Sequence, residues 1–165
     1  MTGQCVTLET QVGTIVIEVL PDVAPETVRN FLNLAATGAY DTTAFSRVVK
    51  GFVIQGGILS TSRKWNAELS QRARRTIHDE PNFIRHERGV VSMARSERPN
   101  SATTSFFILV DRAPHLDGTF AAFGKVTSGM DVVDSINAAP VENETPVNPV
   151  RITRATVAQC ARVSQ

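Results

Sequence analysis

Neither sign of charge predominates in this chain of 165 residues, which has 17 Lys and Arg and 16 Asp and Glu. The formal net charge is +1 with neutral histidines. No global field would therefore draw the protein to DNA, to an acidic membrane or to an acidic substrate. We expect partners to be recognised locally, with neither nucleic acid nor membrane among them, and we expect a monomer.

Long apolar runs are missing as well. Glu9 and Glu18 interrupt the apolar residues near the start, and the first basic residue is Arg29. A secretory signal needs a charged region followed by an apolar one, and that order does not occur here. Nowhere do about 18 apolar residues follow one another, as a membrane-spanning helix requires. We therefore expect a cytoplasmic protein.

The chain has only two cysteines, Cys5 and Cys160, which lie near its opposite ends. Their separation matches neither a zinc site nor a redox motif. In a reducing compartment we expect two reduced, partly buried thiols. A disulfide would be possible only if the first and last strands lay side by side.

The common catalytic signatures are absent, since there is no G-x-S-x-G elbow, no phosphate-binding loop and no H-E-x-x-H pair. His78 and His86 lie near two carboxylates, but their spacing matches no standard metal site. We interpret both as surface residues and predict no metal and no other cofactor.

A cluster of basic residues beside Trp65 could form a nucleic-acid or partner patch. We favour a solvated basic loop, and we attribute a glycosylation pattern at Asn143 to chance.

Composition is that of an ordinary soluble domain, with 42% hydrophobic and 20% charged residues. We predict a single domain over residues 1–165.

The sequence predicts a helix that begins at Pro25 and ends near Gly38, and a second helix that ends near Pro140. Residues 58–88 lack a sustained period and indicate a long, mostly irregular cover over the sheet. Strand patterns occur at residues 6–10, 14–20, 44–49, 52–56, 89–94, 105–110, 120–126 and 150–158. Many strands, two helices and no repeat favour a closed or nearly closed antiparallel barrel.

One predicted hairpin has unusual polarity. It reads FSRVVKGFVIQGG over residues 45–57, and Arg47 and Gln55 interrupt its apolar runs. By itself, an arginine on an edge strand indicates a long stem covering apolar surface. The segment resembles the signature of cyclophilins, which has an arginine, a phenylalanine and Gln-Gly-Gly at these spacings. Further similar blocks are GVVSMA at 89–94, NSATTSFFI at 100–108, LDG at 116–118, FGKV at 123–126 and APETV at 24–28.

The resemblance runs from about residue 5 to 160 and is closest to the short bacterial members. It implies a peptidyl-prolyl cis-trans isomerase, acting on proline-containing peptides and on unfolded or folding proteins. The implied fold is mainly β, a closed eight-stranded antiparallel barrel capped by two α-helices, with substrate on the outer face. The implied catalytic residues are Arg47, Phe52 and Gln55. The implied substrate-binding residues are Val53, Ala94, Arg95, Ser105, Phe107, His115, Leu116 and Phe120.

These residue types suit the reaction. Resonance makes rotation about an X-Pro bond slow, but no bond has to break. A catalyst must favour the twisted state, in which the proline nitrogen regains a lone pair that accepts a hydrogen bond. Arg47 can supply a planar, permanently charged set of donors. The apolar side chains would hold the proline ring, while Gln55 and the backbone near Ala94 and Arg95 would hold the rest of the substrate.

The chain also departs from the family pattern. Ser46, Val53 and Phe120 replace a frequent histidine, methionine and histidine or tyrosine, and Ser105 replaces a glutamine. His115 stands where tight binders of cyclosporin have tryptophan, so we expect weak cyclosporin binding. The thinner contacts at Ser105 leave an alternative open, a proline-segment binding module or chaperone with little turnover. A small-ligand barrel unrelated to proline is a second alternative.

One geometric conflict remains in the predicted hairpin. In an ideal strand Val53 and Gln55 share a face and Phe52 does not. A twist or bulge near Gly51 is then needed to bring Phe52 to the same site.

Overall fold

The computed structural model describes residues 3–160 and contains one curled, eight-stranded antiparallel sheet. The strands are β1 (Gln4–Thr10), β2 (Gly13–Val19), β3 (Arg47–Val49), β4 (Val53–Gly56), β5 (Val90–Met93), β6 (Phe106–Leu109), β7 (Ala122–Ser128), β8 (Val141–Glu142), β9 (Thr145–Pro146) and β10 (Ile152–Gln159). The helices are α1 (Pro25–Ala36), α2 (Ala67–Arg72) and α3 (Met130–Ala138), with short 3-10 turns at Leu59–Thr61 and Pro114–Leu116. Strand order in the sheet is β10-β1-β2-β7-β5-β6-β4-β3, and β8 and β9 form a separate hairpin.

The sheet is open, so the predicted closed barrel is wrong. Its edge strands β3 and β10 do not pair, and near them an isolated bridge joins Ala44 to Arg151. The backbone N–H of Val48, in the middle of β3, donates instead to the carbonyl of Glu144, 2.8 Å away in the β8–β9 hairpin. Because this hairpin takes up the outer edge of the short strand β3, the ladder to β10 does not continue.

Three helices are present among residues 3–160, where two were predicted. The additional one, α2, lies in the segment expected to be irregular, and the Asn66 side chain caps it by accepting from the Leu69 N–H at 2.9 Å. The rest of that segment is more than a solvated cover, because Ile77 and His86 are buried. The segment also serves α1: the Glu80 carboxylate accepts from the backbone N–H groups at the first turn of that helix.

Two apolar clusters lie on the opposite faces of the sheet. On the inner face, Phe106 packs with Phe31 and Tyr40 in the main core beneath α1. On the outer face, a smaller cluster contains Phe107 and Leu109. Successive side chains of β6 therefore alternate between the two clusters, which explains why every residue of this strand is buried. The outer cluster is the one that carries the candidate site.

The two cysteines form a disulfide, so the prediction of reduced thiols is wrong. β1 and β10 pair along their length, and the Cα atoms of Cys5 and Cys160 lie 4.9 Å apart. The sequence could not show this pairing, which is the condition for the bond. Disulfides persist mainly in oxidising compartments, which does not favour the expected cytoplasmic location. No observation tests that location, and it stays a prediction. None of the helices within residues 3–160 is long and apolar enough to cross a membrane.

We expect Cys160→Ser to lower the free energy of unfolding by about 2 to 4 kcal/mol, because the bond closes a very long loop in the unfolded chain. The two cysteines are 155 residues apart. Denaturant unfolding with and without a reductant measures the effect. Reductant should destabilise the natural protein and leave Cys160→Ser unchanged, and equal stability of all four samples would contradict the prediction.

Candidate active site

The site is organised by one row of residues that crosses four strands on the outer face of the sheet. Arg47 of β3 pairs with Gln55 of β4, which pairs with Phe107 of β6, which pairs with Ser92 of β5. Directly opposed residues of antiparallel strands have side chains on the same face. The register therefore brings an arginine, an amide and an aromatic ring together from three separate segments.

Phe52 reaches the same site from a turn at Gly51, where the sequence predicted a twist or a bulge and the structure has no bulge. It precedes β4, its N–H donates to the Val49 carbonyl at 3.0 Å, and the pairing of β3 with β4 is regular. Gly51 supplies the left-handed conformation that the turn needs, with φ of 73°. The Asn137 side chain of α3 accepts from the Gly51 N–H at 3.1 Å and also donates to the Val49 carbonyl at 2.9 Å. Sequence reasoning missed this fixing contact from a distant helix.

A cavity of about 270 Å³ opens at this row. Its floor is apolar: the Phe120 ring packs edge-on against Phe107 at 5.8 Å, and the rings of Phe52 and His115 lie 5.7 Å apart. Of the eleven residues predicted for the site, ten line this cavity and Ser105 lies just behind it, bonded to Gln55. The ten are Arg47, Phe52, Val53, Gln55, Ala94, Arg95, Phe107, His115, Leu116 and Phe120.

A chain of hydrogen bonds forms the polar side of the cavity. Arg47 Nε donates to Glu144 Oε1 at 3.0 Å, and Arg47 Nη1 donates to Gln55 Oε1 at 3.3 Å. Gln55 Nε2 then donates to Ser105 Oγ at 3.1 Å, and that hydroxyl donates to the Gly56 carbonyl. Among residues 3–160, Arg47 Nη2 makes no hydrogen bond. Hydrogen bonds thus hold the guanidinium at Nε and Nη1, while the N–H groups of Nη2 remain available to donate to a substrate.

The opposite wall is formed by Arg95. Its guanidinium carbon lies 5.0 Å from the centre of the Phe120 ring, a cation–π contact, and its Nη1 donates to the Ser96 carbonyl at 3.0 Å. The backbone N–H of Ala94 is bonded to the Ser105 carbonyl at 3.0 Å, so it is not available to a substrate. Besides the backbone near Ala94 and Arg95, this wall offers an aromatic face and a charged side chain.

His86 lies under the cavity, where sequence reasoning had predicted a surface residue. Its side chain is fully buried, its ring stacks on Phe107 at 6.4 Å, and its Nδ1 lies 3.2 Å from the Asp117 carboxylate. On the other side Nε2 lies 3.1 Å from the hydroxyl of Ser92. Because Ser92 is completely buried, this acid–imidazole–hydroxyl series has no access to substrate. It ties the 3-10 turn that carries Leu116 to strand β5.

The electrostatics of this buried group follow from its surroundings. Burial lowers the pKa of His86, and the nearby Asp117 carboxylate opposes that shift. The backbone N–H of His86, 2.6 Å from the Asp117 carboxylate, is the main reason that the pKa of Asp117 is lowered. The other histidine of that pair, His78, lies on the surface and contacts the Glu26 carboxylate at 3.1 Å. Across residues 3–160, no three metal-ligating side chains cluster.

Comparisons with known proteins indicate the family to which the chain belongs. The family model described as cyclophilin type peptidyl-prolyl cis-trans isomerase/CLD matches residues 5–157. A peptidyl-prolyl cis-trans isomerase of Dictyostelium discoideum is 40% identical, over 94% of this chain and 99% of its own length. A probable peptidyl-prolyl cis-trans isomerase of Brucella abortus is 38% identical, over 92% of this chain and 81% of its own.

Among solved structures, a cyclophilin type peptidyl-prolyl cis-trans isomerase of Cryptosporidium parvum, determined in the presence of the dipeptide Ala-Pro, matches with a TM-score of 0.82. It is 29% identical and the match covers 94% of this chain and 99% of that one. Fold and relatives together define an enzyme of proline isomerisation. The chain belongs to the cyclophilin-type peptidyl-prolyl cis-trans isomerase family, and the resemblance seen in the sequence is confirmed.

We expect the free energy of unfolding to fall as the pH drops from about 7.5 to 5.5. The pKa of His86 in the folded protein lies below its ordinary value of 6.5, so the unfolded chain binds the proton more readily. Stability from this group is therefore present above pH 6.5 and lost on acidification. Denaturant unfolding at the two pH values measures the difference. His86→Gln should flatten it, and an equally steep loss in that variant would assign the effect elsewhere.

Proposed function

We propose that the protein accelerates X-Pro rotation in peptides and folding proteins through an arginine donor to the proline nitrogen. The observation that carries the proposal is the placing of Arg47, held by Glu144 and Gln55 at two nitrogens beside an apolar cavity. In the twisted state the amide loses its conjugation, so the proline nitrogen can accept from Nη2. The planar amide offers no such acceptor, and the interaction therefore favours the transition state over the ground state.

The apolar floor supports the same proposal. Val53, Phe107 and Leu116 are almost completely buried and surround the space beside Arg47. A proline ring seated there would lose its contact with water, which anchors one side of the bond through the hydrophobic effect. The other side remains free to turn. The presence of Ala-Pro with the Cryptosporidium parvum relative supports proline-containing peptides as the substrate class.

A binding module or chaperone with little turnover remains the second candidate, and Ser105 is the residue that favours it. A serine reaches less far than the glutamine frequent at this position, and its hydroxyl is engaged by Gln55 and Gly56. It therefore does not extend toward a substrate chain. Turnover of the natural protein on a short proline peptide, measured by a protease-coupled assay, separates the two candidates.

We expect Arg47→Ala to lower kcat at least about 10- to 100-fold. Peptide affinity should change little, because Arg47 bonds the proline nitrogen only when the amide is twisted. Arg47→Lys should restore activity only in part, since an ammonium lacks the planar donor set. Stability should hardly change, because the Arg47 side chain is half exposed. An Arg47→Ala protein that folds and isomerises within about twofold of the natural one, about 0.4 kcal/mol, would refute the role.

We also expect weak inhibition by cyclosporin. His115 lines the cavity beside Phe52, and an imidazole offers less apolar area than an indole and must be desolvated. His115→Trp should bind the inhibitor more tightly, as measured by titration of isomerase activity. Low-nanomolar inhibition of the natural protein would show that this description of the cavity is wrong.

A further inference from the structure

The tip of the β8–β9 hairpin carries a residue in an unfavourable conformation. Glu142 pairs with Thr145, so the loop between the strands has only two residues, Asn143 and Glu144. Both have positive φ, 49° and 71°, as in a type I′ turn. Asparagine followed by glycine is the favoured pair for this turn, and glutamate in the second position is strained because of its Cβ atom.

Backbone strain of this kind is concentrated at functional sites, where the strained residue contributes to the mechanism. The Glu144 carboxylate accepts from Arg47 Nε at 3.0 Å, and its backbone carbonyl accepts from the Val48 N–H at 2.8 Å. Glu144 thus contacts two consecutive residues of β3. The two charged side chains are about half exposed, 50% for Arg47 and 49% for Glu144. Ion pairs at that exposure stabilise a fold little, so stability does not account for the strained glutamate.

We propose that Glu144 is a positioning residue for Arg47. This inference rests on the proposed role of Arg47 in isomerisation. An arginine side chain has many rotamers, and a half-exposed one would sample several of them. Bonds from Nε to Glu144 and from Nη1 to Gln55 fix two edges of a planar group. They therefore fix its plane, and the donors of Nη2 are aimed before the substrate arrives.

The carboxylate has a second effect that opposes the first. Its negative charge offsets part of the positive charge that would attract the developing lone pair. Arg47 nevertheless stays charged at physiological pH, and Glu144 accepts from Nε and makes no hydrogen bond with Nη2. A hydrogen bond to a lone pair depends strongly on direction. Loss of aim is therefore the larger effect, and removal of the carboxylate lowers turnover.

The test is Glu144→Gly, which removes the carboxylate, keeps the backbone carbonyl and relieves the strain. Its midpoint of thermal unfolding should equal or exceed that of the natural protein. The kcat for a proline peptide should fall about 3- to 10-fold with little change in KM. Glu144→Gln, which keeps an acceptor for Nε, should stay within about twofold of the natural protein. Glu144→Asn tolerates the left-handed conformation but is shorter, and should lose as much activity as the glycine variant.

The matched control is Glu142→Gln on the same hairpin. This side chain is exposed and makes no hydrogen bond or ion pair within residues 3–160, so kcat should be unchanged. In an Arg47→Ala background, Glu144→Gly should have no further effect on kcat. An additional loss there equal to the loss in the natural background would overturn the inference, since the carboxylate would then act without Arg47.

The outcomes also separate this inference from the proposed function. If Arg47→Ala abolishes turnover and both Glu144→Gly and Glu144→Asn keep the natural kcat, the positioning role fails and the arginine role stands. A higher kcat in Glu144→Gly would contradict the inference as well, because the carboxylate would then hinder the action of Arg47 instead of supporting it. If Arg47→Ala keeps full activity, the proposed function itself fails.

Discussion

The antiparallel pairing of β3, β4, β6 and β5 is the constraint on which the site depends. It sets Arg47, Gln55, Phe107 and Ser92 in one row on the outer face of the sheet. A slip of one residue would turn each of these side chains to the other face. The alternation along β6 opposes such a slip, because Phe106 fills the main core while its neighbour fills the outer cluster. Packing of the core thereby fixes the register of the site.

The row is supported on both sides by polar contacts from distant parts of the chain. At one end the β8–β9 hairpin brings a carboxylate to Arg47, and α3 brings Asn137 to the turn between β3 and β4. Beneath the other end, buried His86 joins Asp117 to Ser92. Hydrogen bonds to otherwise mobile side chains and turns reduce the motion that a substrate would have to arrest. The cavity is thus largely formed before a peptide enters.

Much of this arrangement could be predicted from the sequence, because local patterns and ordered motifs carry it. The patterns marked all eight strands of the main sheet, and the motifs named residues that the structure gathers around one cavity. What escaped prediction depends on contacts between distant segments. The pairing of β1 with β10 decides the disulfide of Cys5 and Cys160, and strands of two residues, β8 and β9, give no periodic pattern. His86 looked like a surface residue because its packing against Phe107 and Ser92 follows only from the folded chain.

If the protein is an isomerase, its cavity must speed rotation about the X-Pro bond as well as bind the peptide. NMR exchange spectroscopy on a short Ala-Pro peptide, with a small amount of the natural protein, measures binding and cis-trans interconversion in one experiment. We expect the two isomers to exchange far faster than in the uncatalysed reaction, which takes about tens to hundreds of seconds. Chemical shift changes at the cavity residues with exchange left at the uncatalysed rate would contradict it.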